Sequence, residues 1–216
     1  TAADFSMAVA LQNIVWGATQ PVVGIWADKY GTRPVALLGV LTYILGLLFL
    51  RFADAAWMVT VGIGFCVGIA LSCTASNIAM NITARTVSPI KRGAAMGAVS
   101  AIGSLGLTIA SPMTQSLITN VNWQMAAVGF LGLACVMLPA AFWGSKADQI
   151  EPEAVIGKPQ SATDAITEAL GHKGYRVLSI AFFVCGLQLV FITTHLPAYL
   201  DICGMDPTVG SNTLAL

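Results

Sequence analysis

Charge is what this chain has least of. Asp, Glu, Lys and Arg supply 9% of its 216 residues and hydrophobic side chains supply 56%, whereas about 25% of a soluble protein is charged. That balance excludes an ordinary water-soluble globule and fits the bilayer as solvent. Ten basic residues cancel ten acidic ones, and with no basic block there is no footprint for nucleic acid. The five cysteines, Cys66, Cys73, Cys135, Cys185 and Cys203, form no Cys-x-x-Cys pair and have no histidine at ligand spacing. They read as small apolar packing residues rather than a metal site. No P-loop motif occurs, so nothing points to nucleotide-driven work. An acidic residue at position 4 and the lack of a basic n-region argue against a signal peptide.

What remains is long apolar stretches. No Asp, Glu, Lys or Arg falls in Phe5–Ala27, Pro34–Leu50, Ala55–Ala84, Gly93–Ser145 or Val177–Leu200. A spanning helix takes about 20 residues, so the Gly93–Ser145 window holds two spans and each other window one. Six spans are expected, an all-α polytopic membrane bundle. The tight turn at Ala53–Ala56 makes spans two and three an antiparallel hairpin, and Trp57 and Trp123 are placed as interfacial anchors. The chain turns polar from Ser145 to Arg176. Within that segment Ser161-Ala-Thr-Asp164 has the form of a helix start, and Ala165, Ile166, Ala169 and Leu170 follow at helical spacing. A short amphipathic helix on the membrane surface is expected there.

Small and polar residues within the spans carry the finer expectations. Gly17 with Gly24, Gly64 with Gly68, and Gly93 with Gly97 would let neighbouring helices approach. Ser100, Ser104, Thr108, Ser111 and Gln115 form a stripe suited to interhelical hydrogen bonds. Thr74, Asn77 and Asn81 share one face of a regular helix, and Gln188, His195 and Tyr199 share another. Intramembrane polar groups are expensive and usually face the bundle interior. A histidine there can donate to a carboxylate or exchange a proton; the alternative reading has His195 bonded to carbonyls freed by Pro197.

Orientation follows from the basic residues. With Gly24–Pro34 on the inner side, Lys29, Arg33, Arg85, Lys91, Arg92, Lys146, Lys158, Lys173 and Arg176 fall inside and only Arg51 falls outside, satisfying the positive-inside rule. Asn81-Ile-Thr83 matches a glycosylation acceptor but lies at an inner end, where it would stay unmodified.

The run Gly24-x-x-x-Asp28-Lys29-x-Gly31-x-Arg33 resembles the loop between helices two and three of the major facilitator superfamily. Arg85-x-x-x-Pro89-x-Lys91-Arg92-Gly93 is similar to that family's turn between helices four and five, and the polar segment is similar to its central cytoplasmic loop. The resemblance implies a fragment holding helices two to seven and the start of eight. Residues 1–143 would belong to the N-terminal half, 144–174 to the central loop and 175–216 to the start of the C-terminal half. It implies a secondary transporter of the inner (plasma) membrane working by alternating access, with a site at the bilayer midplane. Gly24, Asp28, Lys29, Gly31 and Arg33 would form a conformational latch, with Asp28 near Arg33 and Gly24 against a helix of the other half. The inner turn would contribute Arg85, Lys91 and Arg92.

The family's cavity is lined by helices one, four, seven and ten, which makes Thr74, Asn77, Asn81, Gln188, His195 and Tyr199 the substrate candidates. The segment Phe182–Leu200 is similar to helix seven of bacterial members allied to monocarboxylate and oxalate carriers. The third span lacks the arginine of proton-coupled drug antiporters, and Ser111-Pro112 stands where they have Gly-Pro. The implied partners are a small solute, an organic anion such as a monocarboxylate, with a coupled proton, and the lipid bilayer, in a monomer. No cofactor, metal or catalytic residue is expected. Three alternatives stay open: an efflux carrier for hydrophobic compounds, a membrane enzyme built on Ser104 and His195, and a non-transporting scaffold or sensor.

Overall fold

The computed structural model describes residues 2–74, 76–144 and 162–215. Among them every regular element is a helix: α1 Ala2–Tyr30, α2 Thr32–Arg51, α3 Ala56–Val59, a π-helical segment Thr60–Val67, α4 Gly68–Thr74, α5 Ser76–Thr86, α6 Pro89–Asn120, α7 Trp123–Gly144, α8 Ala162–Gly171, α9 Lys173–Ile202 and α10 Pro207–Ala215. The chain divides into two compact units, Thr1–Glu153 and Ala154–Leu216. The expected helix start at Ser161 and the polar stretch before it, with Lys146 and Lys158, lie outside the described residues. The amphipathic helix itself is present as α8.

Among the described residues five stretches are long and apolar enough to cross a membrane: Thr32–Arg51, Ala56–Thr86, Pro89–Asn120, Trp123–Gly144 and Lys173–Ile202. The sixth expected span, α1, is not among these five. α1 is 29 residues long, but Gln12, Asn13, Thr19 and Gln20 dilute its apolarity, and a window free of charge is not thereby hydrophobic. One correction concerns the charged hinge. α1 runs on through Asp28 and Lys29, α2 starts at Thr32, and the break is the single residue Gly31, with φ 88°. Glycine alone takes that left-handed conformation at no steric cost.

In the first unit α2 packs against α7, α4 and the π segment, while α1 packs against α4 and the π segment. Glycines set these approaches. A Cβ on Gly46 would come within 2.8 Å of the Gly62 carbonyl oxygen, and one on Gly62 within 2.9 Å of that of Gly46. Gly64 lies against Leu11, and Gly68 against the Gln12 carbonyl and Val15, so this G-x-x-x-G pair seats α1 as small residues do in lipid. Gly93 and Gly97 differ, since a Cβ on either meets nothing within 4 Å. The core joins Val23 and Ala27 of α1, Val35 of α2, Cys73 of α4 and Ile78 of α5. Hydroxyls reinforce it: buried Ser72 donates to the Trp16 carbonyl at 2.9 Å and lies 2.5 Å from the Thr19 hydroxyl. α7 is capped by Asn122, whose Oδ1 accepts the Met125 N–H at 2.8 Å.

Among the described residues α6 packs chiefly against its chain neighbours α5 and α7, and it buries none of its own residues. Its polar stripe bonds inward to its own backbone: Ser104 donates to the Ser100 carbonyl and Thr108 to that of Ser104. In the second unit α9 packs with α8 and α10.

Candidate functional site

Two places in the first unit gather functional chemistry. The first lies where α1 and α5 end and where α2 and α6 begin. Arg85 Nη2 donates to Asp28 Oδ1 at 3.1 Å, with Arg85 18% exposed and Asp28 69% exposed. So open a pair is worth about 0–1 kcal/mol. Arg33 places its guanidinium 3.8 Å over the Phe142 ring, a cation–π contact that ties the start of α2 to the end of α7. Asp28 is thus tied to Arg85, the two helix ends meeting through this pair. Lys29 is exposed and lies 5.2 Å over the ring of neighbouring Tyr30. Lys91 and Arg92 sit in the first turn of α6, Lys91 exposed and Arg92 half-buried. Gly24 is exposed, and a Cβ there would meet nothing within 4 Å.

The second place is a cleft of about 350 Å³ between α1 and the α4–α5 pair, lined by Gln20, Gly24, Ser72 and Asn81 among others. It begins one helical turn from the ion pair, since Gly24 precedes Asp28 by four residues and Asn81 precedes Arg85 by four. Thr74 is elsewhere. It lines a more apolar cleft of about 500 Å³ between α2, α4 and α7, with Tyr43, Phe130 and Met137, and its hydroxyl donates to the Ala70 carbonyl at 2.7 Å. Thr74 and Asn81, both in the apolar stretch Ala56–Thr86, thus line different clefts. Asn77 belongs to α5, but its side chain lies outside the described residues.

Gln188, His195 and Tyr199 lie along the single helix α9 of the second unit, all exposed. The His195 ring stands 5.0 Å from that of Phe191 at 47°. Gln20 of the cleft and Phe142 under Arg33 are residues that sequence reasoning missed. Gln20 could have been found from its position three and four residues from Gly17 and Gly24, whereas nothing local marks Phe142.

Comparison with known proteins settles the family. The model of the Major Facilitator Superfamily matches residues 1–216. The chain belongs to the major facilitator superfamily. It is 27% identical over 213 residues to MFS-type transporter 1 of Ophiocordyceps sp. (strain BCC 1869), covering 98% of this chain and 45% of that protein. It is 23% identical over 189 residues to the Fujikurins efflux protein of Gibberella fujikuroi, covering 83% and 40%. It is 26% identical over 163 residues to Monocarboxylate transporter 2 of Homo sapiens, covering 76% and 33%. The chain spans about half or less of the length of the curated relatives it matches. No solved structure matches. Members of the superfamily are transporters, and with five helices long and apolar enough to span this is a multi-pass membrane protein.

Proposed function

We propose that the protein to which this chain belongs is a secondary transporter of the plasma membrane that moves a small organic anion, a monocarboxylate, by alternating access with a coupled proton. The observation that carries the reading is the ion pair of Asp28 with Arg85, which lies within the ordered Gly, Asp, Gly and Arg of Gly24–Arg33. On this reading the chain supplies helices two to seven and the start of eight, in a monomeric protein. Gly24, Asp28, Lys29, Gly31 and Arg33 act as the latch that is remade as the halves rock, and Lys91 and Arg92 join Arg85 at the inner turn. Thr74, Asn77, Asn81, Gln188, His195 and Tyr199 are the solute-facing candidates. A coupling free energy between solute and latch requires that the two states differ in contacts, and a latch made at one end of the bundle supplies such a difference. The relative named Monocarboxylate transporter 2 supports the solute class.

The test is uptake of radiolabelled propionate by liposomes holding the full-length protein, with an inward proton gradient imposed. Accumulation above that of empty liposomes, collapsing when the gradient is dissipated, is expected. Propionate uptake no greater than in empty liposomes removes the monocarboxylate reading. A second reading, efflux of hydrophobic compounds, is supported by the apolar cleft of about 500 Å³ and by the relative named as an efflux protein. It expects the same liposomes to expel a hydrophobic dye.

A further inference from the structure

Four helix ends meet where Asp28 lies, and each is linked to the next. α1 joins α2 through the single residue Gly31. Asp28 of α1 accepts from Arg85, near the end of α5, at 3.1 Å. The ends of α5 and α7 then touch, since a Cβ on Gly144 would stand 3.6 Å from Ile82 Cδ1. Arg33, in the first turn of α2, places its guanidinium 3.8 Å over the ring of Phe142 in the last turn of α7. Every link of this circuit lies within the unit Thr1–Glu153. The Phe142 link has the least support from its own helix. Pro139 lies inside α7 three residues earlier and has no N–H to give the Cys135 carbonyl, so the last turn is loosened from the rest of the helix. Burial does not fix the ring either, because Phe142 is 52% exposed. What so open a ring offers Arg33 is its negative face, whose attraction is electrostatic and set by the electron density of the ring.

We infer that Phe142 is a positioning residue of the latch: its ring holds Arg33 to the end of α7, and through the closed circuit the Arg33–Phe142 and Asp28–Arg85 contacts open together. Each helix end is held from two sides, so releasing one link loosens the ends on either side of it and with them the next link. Lys29 stands outside the circuit, because its ring contact is with its own neighbour Tyr30 and ties no second helix. The role in transport rests on the reading proposed above, whereas the circuit rests on the contacts alone.

The test is hydrogen exchange, read by mass spectrometry, on the full-length protein in liposomes. Phe142 is replaced by trifluorophenylalanine, which keeps the shape and apolarity of the ring and drains electron density from its face, and separately by leucine as Phe142→Leu. Both should speed exchange of the amides of residues 140–144 about two- to fivefold, the size of an exposed cation–π contact. Both should also speed exchange of residues 83–86 at the end of α5, and Asp28→Asn should in turn speed that of residues 140–144. Unchanged exchange with trifluorophenylalanine overturns the hold on Arg33, because a role of size or burial alone is blind to the fluorines. Faster exchange confined to residues 140–144 overturns the circuit. Propionate uptake by the same liposomes is the second readout: a fall with the fluorinated ring supports the positioning role, and wild-type uptake beside faster exchange overturns it. Absence of uptake by the wild type removes the monocarboxylate reading and leaves the exchange rates to decide the circuit.

Discussion

At the scale of the residue, Asp28 carries more than its neighbours Lys29 and Arg33 because its partner comes from another helix. The Asp28→Asn variant keeps the shape of the side chain and removes the charge that Arg85 holds at 3.1 Å. An exposed pair of this kind contributes up to about 1 kcal/mol, which corresponds to a change in rate of about fivefold. Asp28→Asn should therefore lower uptake about fivefold with membrane insertion unchanged, measured as flux per inserted molecule; wild-type flux would end the latch role. Asp28 was legible in the sequence, as one charge among ordered glycines. Its pairing was not, because Arg85 and Phe142 reach Asp28 and Arg33 only after the helices between them have folded back. Gln20 was hidden for a related reason: on its own helix it is one more polar residue, and only α5 brings Asn81 to the same cleft.

Asp206 makes a residue-level prediction of another kind. Its Oδ1 accepts both the Thr208 N–H at 2.8 Å and the Thr208 hydroxyl at 2.6 Å, and these bonds hold its carboxyl below the usual carboxylate value of 3.8. A carboxyl with a lowered folded value stabilises the start of α10 above the unfolded value and loses that contribution as pH falls through the folded one. Protection of the Thr208 amide from hydrogen exchange should be constant above about pH 4 and decline below it, and Asp206→Ala should abolish the pH dependence.

At the scale of the element, the close seam between α2 and the π segment is built from Gly46 and Gly62. Gly46→Ala forces a Cβ to 2.8 Å from a backbone oxygen that cannot swing aside, and such overpacking costs about 1–3 kcal/mol. Gly103→Ala, on α6 with nothing within 4 Å, should be neutral or stabilising by up to about 1 kcal/mol. Thermal unfolding in detergent should separate the two, and equal midpoints would show that the seam does not hold the unit together. The spans were legible because charge is absent from them, and their ends because Gly31 and Pro89 punctuate them. The different clefts of Thr74 and Asn81 were not legible: the two have the spacing of one face, and the helices that pack beside them, α1 at one cleft and α2 and α7 at the other, come from elsewhere in the chain.

At the scale of the whole molecule, the first unit is knit by α2, which meets α7, α4 and the π segment, while α6 and α9 bury none of their own residues. Apolar side chains exposed in this way suit a lipid solvent and are a hazard in water. The substrate class was not legible from composition at all, since neither hydropathy nor net charge bears on what a cleft accepts.

The distance along the chain between Asp28 and Arg85, 57 residues, orders events during synthesis. At about 5–20 residues per second the arginine emerges roughly 3–11 s after the aspartate. Throughout that interval the stretches Thr32–Arg51 and Ala56–Thr86 emerge while Asp28 lacks its Arg85 partner. Lys29 and Arg33 are already present, so whatever basic residues contribute to topology at this turn acts before Arg85 is made, and the salt bridge arrives afterwards as a seal.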